Sequence, residues 1–144
     1  VKTGPGKPVP ERAPEARVLP PTDRETFVPP PELEEIRRRF HAGDYRGCVE
    51  PIEALYFARR NTFHQGLLQY VVALLQLRLG LVRTPRRLLK QSLELWTPYG
   101  DWQEGIGLAA LRRHAEALLA SLPGEVDRTT PEQAAEWWLP PPCL

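Results

Sequence analysis

A chain of 144 residues with 19 basic and 18 acidic side chains has the size of one domain with tails, and its formal net charge of +1 gives no pull toward a polyanionic partner. Its two cysteines, Cys48 and Cys143, make neither a disulfide framework nor a metal-ligand spacing, so a reducing, cytoplasmic compartment is expected, with no metal and no cofactor. Of 17 prolines, nine fall in the first 31 residues and three among the last five, which leaves 31–122 as the expected domain.

Residues 1–30 carry few large apolar side chains and no period of 2 or 3.6, a composition that predicts a disordered or polyproline-like tail, with Phe27 and Val28 docking on the core as a clasp. No basic stretch followed by an apolar run is present there, so no secretory signal is read. Pro31 opens a first helix, PELEEIRRRFHAG, with Glu32, Glu34 and Glu35 ahead of Arg37, Arg38 and Arg39 as the helix dipole favours. Leu33, Ile36 and Phe40 form its buried stripe, and Gly43 ends it. Asp44 caps a second helix whose apolar face is Tyr45, Cys48, Val49, Ile52, Leu55 and Tyr56. Pro51 inside it costs about 3 kcal/mol if the helix is uninterrupted, so a kink near Gly47 or a split is expected.

Asn61 or Thr62 caps a third, strongly apolar helix, and Gly80 stops it in the left-handed region. Between Phe63 and Leu79 it holds Gln65, Gln69, Gln76 and Arg78, too polar and slightly too short to span a bilayer. Thr84-Pro85 then restarts the chain, with Pro85 as the first helical residue. A glycine-rich loop, TPYGDWQEGIG, precedes a fifth helix marked by Leu108, Leu111, Ala115, Leu118 and Leu119 and closed by Pro123-Gly124. In the segment 123–144, expected to wrap the domain, Thr130-Pro131-Glu132-Gln133 starts a short helix presenting Trp137 and Trp138. Phe40-x-x-Gly43 with Ile52 and Tyr56 returns as Leu77-x-x-Gly80 with Leu89 and Leu93, a weak repeat at a spacing of 37. Two such hairpins are fewer than a solenoid needs. The expected fold is all-α, a compact up-down bundle of about five helices built from two helical hairpins plus a closing helix.

Tyr45, Glu53, Phe63, Gln65, Gly66, Gln69 and Gly80 together resemble the pattern of a family of small all-helical prokaryotic proteins catalogued as domain of unknown function 309, over roughly residues 33–121. The resemblance implies an all-helical fold and a pocket, and no reaction. The chain departs from the pattern at Val49, where the family has His, at Tyr56 (Trp), at Leu81 (Asn) and at Thr84-Pro85 (Gly-Ala). Val49 can neither take a proton nor bind a metal.

Glu53 on one helix face with Gln65 and Gln69 on the next gives a candidate polar pocket, completed by Tyr45 and His64; the competing reading is a buried network that fixes helix register. Arg83, Arg86, Arg87 and Lys90 have helical spacing, with Arg59 and Arg60 nearby, and make either a basic strip for nucleic acid or a solvated face. With so little net charge and no recognition motif, nucleic-acid binding is the less favoured. Trp137, Trp138, Arg86 and Arg87 are the candidate interaction surface. No catalytic residue stands out, and Cys48 reads as core. The sequence therefore points to a non-enzymatic interaction or scaffold module that binds an unidentified protein or a second copy of itself. The alternative is a small hydrolase-like or ligand-binding protein using the Glu53–Gln65–Gln69 pocket.

Overall fold

The computed structural model describes residues 27–144; the expected Pro-rich tail before Phe27 lies outside them. Among the described residues there are six helices: α1 (Pro31–His41), α2 (Tyr45–Arg59), α3 (Thr62–Arg78), α4 (Arg83–Leu95), α5 (Leu108–Ser121) and α6 (Pro131–Trp137). No strand forms among these residues, only isolated bridges at Leu81–Arg128 and Gln103–Ile106, so the protein is all-α as its sequence predicts.

Packing follows chain order: α1 lies on α2, α2 on α3, α3 on α4 and α4 on α5, while α6 returns to α3. A helix with three packed neighbours must be apolar over most of its circumference, and α3 buries Phe63, Leu67, Tyr70, Val71, Leu74 and Leu77. α4 is a flank and needs one stripe only; it buries Pro85, Leu89 and Ser92 and exposes Arg87 and Lys90. Each fully buried Leu or Phe contributes roughly 1.5–3 kcal/mol of transfer free energy, so this central helix holds much of the stability.

The weak repeat is real in backbone geometry. α1 and α3 both end in a Schellman motif: Asp44 N–H bonds Arg39 O and Gly43 N–H bonds Phe40 O, as Leu81 N–H bonds Gln76 O and Gly80 N–H bonds Leu77 O. The two glycines take φ of +77° and +92°. At Gly80 the close approach matters as much as the angle, since a Cβ there would lie 2.2 Å from Thr129 O.

Two local expectations change. Of the two outcomes expected at Pro51 the split does not occur, and α2 runs as one element from an Asp44 cap on Gly47 N–H to a left-handed Arg60. Packing of Cys48, Ile52 and Leu55 on α1 and α3 outweighs the missing hydrogen bond. The fourth helix begins at Arg83 rather than Pro85, because Asp127 O accepts from both Val82 N–H and Arg83 N–H at 2.9 Å and fixes the start earlier. Pro85 is then the third helical residue, still within the turn that has no intrahelical use for its donor.

Gly66 serves close packing. A Cβ on it would meet the Trp96 indole nitrogen at 2.5 Å, and that indole donates to Phe63 O at 3.2 Å while Ser92 Oγ donates to Gly66 O at 2.8 Å. These contacts lock the end of α4 against the first two turns of α3.

Candidate functional site

Of the five residues of the expected pocket, Tyr45 and His64 belong to different side-chain groups. Glu53, Gln65 and Gln69 are half-buried, and no hydrogen bond among the described residues joins Glu53 to either amide. The fully buried face of α2 is Tyr45, Cys48, Ile52 and Leu55, which sets Val49, Glu53 and Tyr56 at the flank of the α2–α3 contact. Gln69 Oε1 is buried without a partner. Tyr45 and His64 are core residues, 3 % and 1 % exposed, and each belongs to a different polar group.

His64 faces a residue that sequence reasoning missed. Its Nε2 lies 2.9 Å from Glu104 Oε1, and the other carboxylate oxygen accepts from Asn61 Nδ2 at 3.2 Å and Gln103 Nε2 at 3.1 Å. Arg59 approaches Oε1 at 3.3 Å from the solvent side. Asn61 is also the cap of α3, accepting from His64 N–H at 2.8 Å, so one side chain serves the helix end and the carboxylate together. Glu104 sits at φ +51° beside Gly105 at +83°, in a turn closed by paired Gln103–Ile106 backbone bonds of 3.0 Å. A non-glycine residue held there costs of order 1 kcal/mol, and the network keeps it in place. Burial pushes the Glu104 carboxyl up, but the His64 hydrogen bond and charge, the Gln103 amide and Arg59 outweigh it, and the group is held below its ordinary value.

A buried carboxylate–imidazole pair is the geometry of an oriented base, and His64 Nδ1 has no partner. The space beside it is small. The cavity bounded by Leu33, Leu55, Phe63, His64, Leu67 and Glu104 has a volume of about 10 Å³, roughly what one water molecule requires. The pair pins the 96–107 loop to the start of α3.

A second group lies at the opposite end of α3. The Arg78 guanidinium is 4.9 Å from the ring centres of both Tyr45 and Trp138, and its Nη1 donates to Gly43 O at 3.2 Å. Arg78 is exposed and forms no ion pair among the described residues. A cleft opens on each side of this stack. One, of about 280 Å³, is walled by Leu77, Arg78, Pro131, Ala134, Ala135 and Trp138. The other, of about 350 Å³, lies among Phe40, His41, Tyr45, Arg78, Pro141 and Pro142. Both are near the lower limit of small-ligand pockets.

Beyond α6 the chain crosses the bundle as a strap, leaving Trp138 at φ −72° and ψ 135°, in the polyproline II region. Ser121 Oγ donates to Trp137 O at 2.9 Å, Arg37 Nε to Leu144 O at 2.9 Å, and Leu144 N–H to His41 Nε2 at 3.3 Å. His114 lies 2.7 Å from both Leu139 O and the Tyr70 hydroxyl; since a carbonyl only accepts, Nε2 carries the proton and Nδ1 accepts from Tyr70. Burial depresses the His114 pKa and the Leu139 bond only partly restores it. Trp137 and Trp138 are both half-buried.

The basic strip is not a uniform cationic face. Arg86 Nη1 donates to Pro123 O at 2.5 Å and Val126 O at 2.7 Å and holds the α5–α6 connection, and Arg83 is 4.0 Å from Asp127. Arg87 and Lys90 remain solvent-facing. Cys48 is fully buried and its thiol is pushed up to about 11, chiefly by burial. No group of three or more His, Cys, Asp or Glu among the described residues is placed to hold a metal ion.

No sequence signal marked Glu104, because a loop residue has no periodicity to single it out. Arg78 did leave one: in the repeat of 37 it takes the place of His41, and both line the second cleft. Compared with protein-family models, with curated proteins and with solved structures, the chain matches none.

Proposed function

We propose that this protein is a non-enzymatic helical interaction module that binds an extended segment of a partner protein at the face built by Tyr45, Arg78, Ala134 and Trp138. The observation that carries the reading is the guanidinium held over two adjoining rings, with a cleft on either side and no acidic side chain paired with it among the described residues. Arg and Trp in such settings are the residue types that dominate binding energies at interfaces. An immobilised guanidinium loses little further entropy when a partner's carboxylate or carbonyl arrives. The buried acid–imidazole pair, with space for a single water beside it, supports no competing enzymatic reading. Residence in the reducing cytoplasm belongs to the same proposal and accords with two free cysteines. No helix among the described residues is long and apolar enough to cross a membrane.

The test is selection of peptides from a random library on the full chain, followed by binding to Arg78→Ala and Trp138→Ala variants of confirmed helicity. A selected motif that loses at least tenfold in affinity on both variants is expected. Failure to enrich any motif, or motifs indifferent to both substitutions, would overturn the proposal.

A further inference from the structure

We infer that the cleft between the end of α3 and α6 takes a proline-rich segment in the polyproline II conformation, with a carboxylate placed on Arg78. This assigns a ligand chemistry to the Arg78 face and rests on the reading of that face as a peptide site.

Proline rings of this chain already wall one of the two clefts beside the aromatic pair. Pro141 and Pro142 border its Tyr45 side, in a strap that leaves Trp138 with polyproline II dihedrals. That cleft therefore already combines an aromatic ring, a guanidinium and proline rings in its walls. On the far side of Trp138 the cleft of about 280 Å³ is walled by an indole, a proline ring and small aliphatic side chains among the described residues. Aromatic-lined grooves with a flanking polar group are the standard receptors for polyproline II ligands, which arrive with little conformational entropy left to lose.

Charge narrows the ligand further. Among the residues bordering the two clefts the ionisable side chains are Arg78, His41, Tyr45 and Cys143, and none is a carboxylate. Arg78 uses one N–H on Gly43 O. Its remaining donors face a partner bearing a carboxylate and disfavour one bearing a lysine. Extended segments of other composition would satisfy the general proposal but not this one. A small aliphatic ligand would fill the cleft without the repeat of about 9 Å that polyproline II imposes along its axis.

The experiment titrates the full chain, labelled with nitrogen-15, with three blocked nonapeptides: prolines with two glutamates, the same peptide with lysines for the glutamates, and the glutamate peptide with alanines for the prolines. Chemical shifts of the Trp138 indole N–H and Arg78 side chain report the site, and calorimetry gives the affinity. The expected result is saturable binding of the acidic proline peptide centred on those two signals, weakened at least tenfold by either peptide change. Arg78→Gln should erase the preference for glutamate over lysine while the circular dichroism spectrum stays unchanged. Equal affinity for the alanine and proline peptides, or shifts confined to other residues, would overturn the inference. A library motif without proline that still depends on Arg78 and Trp138 would do the same and leave the interaction module standing.

Discussion

Removing the Glu104 carboxylate isolates the energetic role of the buried network. Glu104→Ala leaves His64 Nε2, Asn61 Nδ2 and Gln103 Nε2 without the acceptor they share, in a site where the residue is only 8 % exposed. A hydrogen bond to a charged acceptor contributes about 1.5–3 kcal/mol, and an orphaned buried donor costs about 1–3 kcal/mol. The three bonds converge on one carboxylate and cannot be added independently, and breaking a buried charged pair costs about 3–5 kcal/mol. Removing the desolvation cost of the carboxylate offsets part of this, so the expected loss is about 3 kcal/mol. For a chain of this size that corresponds to a fall in Tm of roughly 6–12 °C. Glu104→Gln, which keeps an acceptor but no charge, should lose about half as much. Urea unfolding followed by circular dichroism reads both variants, with Arg83→Ala as an exposed-pair control expected to shift stability by less than about 1 kcal/mol. A loss below about 0.5 kcal/mol for Glu104→Ala, within the ordinary scatter of surface substitutions, would refute the claim that this network anchors the loop.

The same carboxylate gives a pH dependence. Its folded value lies below the ordinary 4.5, so its stabilisation is present above that value and is lost as pH falls through the folded one; the stability of Glu104→Gln should fall less over that window. For His114, held below the ordinary 6.5, the unfolded chain protonates first, so stability declines as pH drops below 6.5 and levels off at the folded value. His114→Gln should flatten that decline in acid-unfolding curves. Gly66→Ala drives a Cβ to within 2.5 Å of the Trp96 indole nitrogen; overpacking outweighs the helix-propensity gain, with a net loss of about 1–2 kcal/mol and a red-shifted tryptophan emission. Alkylation of the native protein should modify Cys143 and spare Cys48, whose thiol is buried and pushed up to about 11, and mass spectrometry of the product checks this.

The fold was legible in the sequence wherever its signals are local. Caps and stops are decided within four residues, and the Asp44, Asn61 and Thr130 caps and the Gly43 and Gly80 stops all stand where the residue types place them. Burial periodicity located the core faces of α1 and α5 for the same reason. The start of α4 was displaced by Asp127 O, which lies over 40 residues downstream and which no local pattern can reveal. The partner of His64 was hidden on a similar ground. Glu53, Gln65 and Gln69 are half-buried, while the carboxylate that meets His64 comes from the glycine-rich loop.

The repeat ties fold and proposed site together. Two copies of a helix, a Schellman turn and a returning helix bring their turns to one end of the bundle, where Arg78 of the second copy donates to Gly43 O of the first. Its counterpart in the first copy, His41, accepts from the strap instead. The equivalent positions have thus diverged: one residue holds the crossing chain down, and the other lies over two adjoining rings with donors unused among the described residues. A residue needed only to join the turns could be lysine at little cost. A delocalised guanidinium 4.9 Å from both the Tyr45 and Trp138 ring centres favours arginine over lysine. Arg78→Lys should therefore leave urea stability within about 1 kcal/mol of the parent and weaken peptide binding several-fold. Equal losses in both measurements would reduce Arg78 to a structural clamp.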